Sequence, residues 1–235
     1  MWLALIETYA ETASFRLPET HTFHKTLPLP PYTSCVGLLG ASLGLPLPDA
    51  YAWVEEHGVQ IGVAGRDRGW FKDLWKYQKV KTDQVISDVL LREYRVDLTC
   101  QFVYAVEDRE TAEAIADAFR KPAYPLTAGH SDSLLIVRSS TVAERDPVPL
   151  DCLSFCVVPG DLSSRYRVPE NLLTELPLTA TIRAPQVVSL PTAFVFEGDR
   201  RDVITRETFT FVGHPIELNE PMSGFLCNER TVVLR

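Results

Sequence analysis

Three stretches of this chain combine residue types that could hold a phosphate chain. In the first, residues 14–44, Arg16, His21, His24 and Lys25 supply cations and imidazoles. Prolines 28, 30 and 31 then lead into Tyr32, Thr33 and Ser34 and an apolar run with glycines at Gly37, Gly40 and Gly44. Hydroxyl residues ahead of an apolar run predict a helix start, here capped by Thr33–Ser34. A helix start aims free backbone N–H groups forward, and its dipole favours an anion there. In the second stretch, residues 65–88, Trp70, Phe71, Trp75 and Tyr77 stand among Lys72, Lys76, Lys79 and Lys81. Single-stranded RNA is held in this way, with cations on its phosphates and rings on its bases. The plainer alternative is an exposed loop whose rings pack on the body while its lysines are solvated. The third stretch is Gly129-His130-Ser131, where glycine lets backbone approach a ligand and the N–H and hydroxyl groups could take phosphate or ribose. Here the alternative is a plain helix-to-strand turn.

Other chemistries find less support. His21, His24 and Lys25 could form an acid–base set for RNA cleavage, but histidines three apart in an extended segment point in different directions. His57, His130 and His214 are scattered without zinc-ligand spacing, and no Gly-x-x-x-x-Gly-Lys-Ser/Thr loop is present. No metal and no cofactor is expected. Cys35, Cys100, Cys152, Cys156 and Cys227 form an odd, scattered set without Cys-x-x-Cys, which reads as free thiols in a reducing cytoplasm. Cys152 and Cys156 are expected on one face of a strand. Asp151, Asp161, Glu170 and Glu175 read as solvated loop acids.

The 235 residues carry a net charge of −8, unusual for a freestanding nucleic-acid binder. The charge is uneven. Residues 61–82 hold six cations (Arg66, Arg68, Lys72, Lys76, Lys79, Lys81) and two acids (Asp67, Asp73), so +4 locally and −12 elsewhere. One cationic element on an acidic body suits a subunit that grips a short RNA inside a larger assembly. No apolar run approaches the roughly 20 residues of a membrane span. The opening Trp2-Leu3-Ala4-Leu5-Ile6 reads as a strand, not as a signal peptide.

The elements that must position these residues follow from periodicity. Strands are expected at Trp2–Ala10, Val59–Val63, Leu90–Val106 and Ser133–Val142, with helices at Thr33–Leu45 and Asp108–Lys121 and a helical turn at Pro48–Glu56. Ala112, Ile115, Ala116 and Phe119 form the apolar stripe of the second long helix, capped by Asp108 or Thr111. The order strand, helix, strand, inserted basic segment, strand, helix, strand is the split βαβ pattern of a ferredoxin-like, RRM-type fold, of class α+β. After Pro147, short apolar pieces separated by turns (Leu153–Val158, Ala180–Ala184, Ala193–Phe196, Phe209–Phe211, Thr231–Leu234) predict an appended antiparallel β region. The expected organisation is 1–146 as an RRM-like RNA-binding domain, with the insertion at about 65–88, and 147–235 as a small C-terminal β region.

Two motifs carry a resemblance. Thr26-Leu27-Pro28-Leu29-Pro30-Pro31-Tyr32-Thr33-Ser34, followed by Val36-Gly37-Leu38-Leu39-Gly40 and Leu43-Gly44, resembles the N-terminal signature of the CRISPR-associated Cas-five family of type I Cascade complexes (RAMP superfamily). Tyr124-Pro125-Leu126-Thr127-Ala128-Gly129-His130-Ser131-Asp132-Ser133 resembles that family's turn after the second helix, with histidine where the family often has a basic residue. The resemblance covers roughly the first 140 residues and none of the C-terminal third. It implies a non-catalytic subunit that caps the 5′ handle of the CRISPR RNA (crRNA). Such a subunit contacts a Cas-seven-type backbone subunit and the large Cascade subunit, and meets target DNA near the PAM only indirectly. It implies a thumb-like hairpin at residues 65–88. The expected RNA-binding set is Arg16, His24, Lys25, Tyr32, Thr33, Ser34, Gly37, Trp70, Lys72, Trp75, Lys76, Lys79, Lys81, Gly129, His130 and Ser131. A branch of the family cuts precursor RNA, so the alternative is a metal-independent endoribonuclease.

Overall fold

The structure, a computed structural model, describes residues 1–20, 23–81, 84–169, 184–198 and 200–235, without the side chains of Lys79 and Lys81. In chain order the first elements are β1 (Trp2–Ala13), β2 (Phe15–Arg16), β3 (Phe23–His24), β4 (Thr26–Leu27), α1 (Tyr32–Leu43) and α2 (Leu47–Glu56). Next come β5 (Gln60–Arg66), β6 (Gly69–Lys81), β7 (Gln84–Val106), α3 (Arg109–Arg120) and β8 (Ile136–Glu144). The remainder holds β9 (Val148–Leu153), β10 (Cys156–Pro159), β11 (Tyr166–Arg167), β12 (Gln186–Glu197), β13 (Arg200–Val212), β14 (Ile216–Cys227) and β15 (Arg230–Val232). The molecule is mostly strand, with three helices among the described residues.

The main sheet runs β12-β13-β10-β5-β7-β1-β8, and β3 and β6 pair with β7. Its centre is antiparallel: β1 pairs with β7 and β8, and β5 pairs with β7. One face of β1 (Ala4, Ile6, Ala10) packs with Phe102 and Tyr104 of β7 against the helices. The opposite face (Leu3, Leu5, Val103, Ala105) is covered by Leu150, Ile216, Phe225 and Val232 of a second sheet built from β9, β11, β14 and β15. Alternation along β1 and β7 thus feeds both cores from the same strands. The chain beyond residue 147 divides in two. β10, β13 and β12 lengthen the main sheet beside β5, while the other strands cover its back.

α3 follows its sequence pattern. Asp108 caps it by accepting a hydrogen bond from the Thr111 N–H at 2.7 Å, and Ala112, Ile115, Ala116 and Phe119 are fully buried. α1 departs from expectation. Its N-cap is Pro31, with no side-chain capping bond, and Thr33 and Ser34 lie inside the first turn. Pro31 has an extended backbone (φ −73°, ψ 164°), and its carbonyl accepts from the Ser34 N–H at 2.9 Å, so the proline and not a hydroxyl ends the approach. The glycines of α1 have separate reasons. A Cβ on Gly40 would come within 2.6 Å of the Ala50 Cβ, which sets the close approach of α2. Gly44 adopts φ 79° and closes the helix through its N–H to the Gly40 carbonyl.

The segment 65–88, aperiodic in core terms, is regular backbone. β6 pairs with the first half of β7 from Gly69↔Val96 to Lys81↔Gln84, forming a long hairpin. Core periodicity is missing because both faces of this ribbon lie largely outside the core. Cys152 and Cys156 do not share a strand: they fall on β9 and β10, separated by a break where Phe155 takes φ 50°. Cys152 is exposed and the other four thiols are buried. Within the expected C-terminal pieces, 180–183 lie outside the described residues.

Candidate nucleic-acid interface

Antiparallel pairing sorts the basic-aromatic residues of the β6–β7 hairpin onto two faces. Residues directly opposite share a face, and neighbours along a strand do not. Phe71, Asp73, Trp75 and Tyr77 of β6 therefore stand with Tyr94, Arg92, Leu90 and Asp88 of β7. Trp70, Lys72, Leu74 and Lys76 stand with Arg95, Glu93, Leu91 and Val89 on the other face. The expected set is split, with Trp75 on one side and Trp70, Lys72 and Lys76 on the other.

The Trp75 face is organised around Arg92, which is 7% exposed. Its guanidinium lies 4.6 Å from the Trp75 ring centroid and 5.2 Å from that of Tyr94. It pairs with Asp73 at 3.4 Å and Asp132 at 3.7 Å. Trp75 stacks on Tyr77 at 5.1 Å, and Phe71 stacks on Tyr94 at 5.3 Å. Tyr94 in turn lies 6.0 Å from the His130 ring. On the opposite face, the Lys72 ammonium lies over the rings of Phe23 (5.2 Å) and Trp70 (5.6 Å). Leu74, Val89 and Leu91 are exposed beside it. Among the described residues neither Lys72 nor Lys76 is in an ion pair, and both are exposed. The Lys79 and Lys81 side chains, like residue His21, lie outside the described residues.

The Gly129 turn meets this hairpin at its base. Gly129 has φ 96°, and a Cβ there would overlap the Ser14 carbonyl. The adjacent Ala128 carbonyl accepts from the Ser14 N–H at 2.9 Å. The close approach that needs this glycine is therefore to the chain's own backbone after β1. The turn holds His130 near His24, which β3 places opposite Arg92. Burial lowers the His24 pKa from 6.5, helped by the charges of Arg16, His130 and Arg92. Burial likewise lowers that of His130, with Arg92 and Arg16 lowering it further and Asp132 opposing. Both shifts favour the neutral imidazole. His24 Nδ1, His130 Nε2 and Arg92 Nε are buried without hydrogen-bond partners among the described residues. Buried polar atoms left open in this way are uncommon and mark a place where a polar ligand would be favoured.

Beyond the turn lies a groove of about 530 Å³ lined by Arg16, Thr33, Ser34, Gly37, Gly129 and His130. Six residues of the expected set thus converge, from the β2 strand, the first turns of α1 and the loop before β8. A Cβ at Gly37 would meet nothing within 4 Å, so this glycine leaves the α1 surface open. The groove's far wall comes from α2 and the β12–β13 hairpin: Tyr51, Leu190, Phe194, Arg201 and Arg206. None of these was singled out from sequence, because only the distant β10–β5 pairing brings β12 and β13 alongside the helices. Arg92 was missed too, being read as one more strand position. Tyr32 turns from the groove into the core. It is 8% exposed, and the Arg235 guanidinium lies 4.0 Å from its ring centroid. Lys25 and Ser131 are exposed outside the groove lining. No group of three or more histidine, cysteine or acidic side chains among the described residues could hold a metal ion.

A mixed sheet with helices on one face thus bears a cationic-aromatic ribbon beside an open groove. The family to which the protein belongs is shown by sequence: residues 4–154, more than half of the chain, match the family model described as CRISPR-associated protein (Cas_Cas5), and the chain is a member of that family. Solved structures resemble it in fold. A CRISPR protein from Archaeoglobus fulgidus is 8% identical, with all of both chains covered and a TM-score of 0.54. A chain of a CRISPR RNA-guided surveillance complex is 16% identical over 93% of this chain and 91% of that one, with a TM-score of 0.51. A crystallised Cas protein is 23% identical with a TM-score of 0.36, over 55% of this chain and 57% of that chain's length. No curated protein matches the sequence. No helix among the described residues is long and apolar enough to cross a membrane.

Proposed function

We propose that this chain is a non-catalytic crRNA-binding subunit of a type I CRISPR effector complex, working in the cytoplasm and holding the 5′ handle of the guide. The observation that carries the reading is the cluster of Arg16, His24, Arg92 and His130, with its open nitrogens, between the stacked hairpin and the groove. Membership of the Cas_Cas5 family and the likeness in fold to a chain of an RNA-guided surveillance complex support it. In this reading the strand order β8-β1-β7-β5, with α1 and α3 on one face, is the ferredoxin-like RNA-binding core, and residues 147–235 are its extension. The β6–β7 hairpin is the thumb: Lys72 and Lys76 take phosphates, and Trp75 with Tyr77 offers ring faces to bases. The groove carries the sugar-phosphate path past Thr33, Ser34 and Gly37. A Cas-seven-type backbone subunit and the large subunit are the protein neighbours.

The other reading is a metal-independent endoribonuclease. One observation favours it: His24 and His130 lie near one another, and burial lowers the pKa of each, which favours the neutral form that a general base needs. Incubating the purified chain with precursor repeat RNA in a chelating buffer separates the two. Binding without cleavage is expected. Specific cleavage abolished by His24→Ala or His130→Ala would establish the enzyme, and failure to bind the repeat RNA would defeat both readings.

A further inference from the structure

Apart from Tyr51, the far wall of the groove comes from residues beyond the 4–154 stretch that matches the family, and its chemistry differs from that of the near wall. We propose that Tyr51, Phe194 and Arg201 form a pocket for a single unstacked base of the bound RNA. The proposal rests on the reading of the groove as an RNA path.

The pocket is built by a bend. β12 and β13 lose register between Pro191 and Ala193 and again between Ala193 and Phe194, which leaves Thr192 and Ile204 as compensating bulges. Bulges bend a ribbon and raise its twist, and this one lies against α2 just where Phe194 follows. The Phe194 ring meets the Tyr51 ring edge-on, with centroids 5.7 Å apart and planes at 81°. Phe196 lies 6.1 Å from both Tyr51 and Phe194 and supports them from behind. The Arg201 guanidinium stands 5.3 Å from the Phe194 centroid. A ring flanked by a planar cation is a stacking platform for a nucleobase, since every base has a face that stacks on an aromatic ring or a guanidinium. The Tyr51 hydroxyl is enclosed without a hydrogen-bond partner among the described residues. Burial raises its pKa well above the ordinary tyrosine value, so it stays a neutral O–H able to donate to a base edge.

The cations at the mouth are held in place. Arg206 donates to Glu19 at 2.9 Å and to the Ser189 carbonyl at 3.3 Å, and Arg16 donates to the Thr20 carbonyl at 3.1 Å. An acidic or apolar peptide would use the arginines or the rings, whereas a nucleotide uses both and also fits a groove of about 530 Å³.

The test is binding of a fluorescein-labelled single-stranded RNA of the repeat sequence, followed by anisotropy, together with ultraviolet crosslinking and mass spectrometry of the bound complex. Phe194→Leu keeps apolar volume and removes the stacking face. It is expected to weaken binding about tenfold, the loss typical of one base–ring stack, with an unchanged circular dichroism spectrum. Phe194→Trp should retain affinity, and the wild-type protein should crosslink through the 186–206 hairpin to one nucleotide. If Phe194→Leu and Arg201→Ala bind RNA as wild type while Lys72→Glu/Lys76→Glu weakens it, the base pocket is refuted and the RNA-binding reading stands. If the wild-type protein binds no RNA, both fall. A crosslink from Phe194 to a protein subunit in place of RNA also overturns the pocket.

Discussion

The molecule has two long hairpins on one sheet, and they present their chemistry differently. β6–β7 carries rings and lysines on a ribbon whose outer length lies largely outside the core, with Leu74 and Val80 among its most exposed apolar residues. β12–β13 is anchored by Leu190, Phe209 and Phe211 in the helix-side core and shows Arg201 and Arg206 at a groove mouth. The first could take RNA along two faces, whereas the second could take it only at a fixed place. An exposed cationic ribbon supplies affinity that is tolerant of sequence, and a braced pocket supplies position.

The largest effect expected is from Lys72→Glu with Lys76→Glu. RNA affinity should fall by at least about tenfold and the salt dependence of binding should flatten, as phosphate contacts are lost. Both side chains are exposed, so the melting temperature should stay within a degree or two of wild type. Equal salt slopes for variant and wild type would remove the contrast between the hairpins. Next is Trp75→Ala, which takes the ring from beside Arg92 and Tyr77. A severalfold loss of RNA affinity is expected in the same titration, with a stability change under about 1 kcal/mol by denaturant unfolding.

A pH series sharpens the comparison further. The groups facing His24 and His130 are Arg16, Arg92 and Asp132, and burial is the first cause of both lowered pKa values. A lowered histidine pKa means the free fold loses stability as pH falls through and below 6.5. RNA phosphate reverses that preference by favouring the charged imidazoles. Affinity should therefore rise from about pH 7.5 to about pH 5.5, and the rise should flatten in His24→Ala/His130→Ala. Proton uptake on binding, followed by calorimetry in two buffers, checks the sign. The smallest effect expected is from Asp108→Ala, far from both hairpins. It should cost about 1 kcal/mol through loss of the α3 cap and leave RNA binding unchanged.

These contrasts track what was legible before the fold was known. α3 could be read because one buried stripe at helical spacing and one capping aspartate decide it locally. The β6–β7 ribbon could be read as chemistry but not as structure, since rings and lysines interrupt the alternation by which strands are recognised. The α1 start was misplaced because Thr33 and Ser34 look like caps until the extended backbone of Pro31 is seen to end the approach. Tyr32 sits in the motif yet packs under Arg235, a contact across some 200 positions that no local pattern announces. Phe194, Arg201 and Arg92 were invisible as site residues for the same reason. Their roles come from pairings between strands distant in sequence, β13 with β10, β10 with β5, and β3 with β7.

The most direct measurement is a crosslinking map of the wild-type chain bound to repeat-derived single-stranded RNA. Crosslinks should concentrate in 69–96, around His24 and His130, and in 186–206. Crosslinks confined to β9, β11, β14 and β15 on the opposite face, or none at all with RNA bound, would contradict the account.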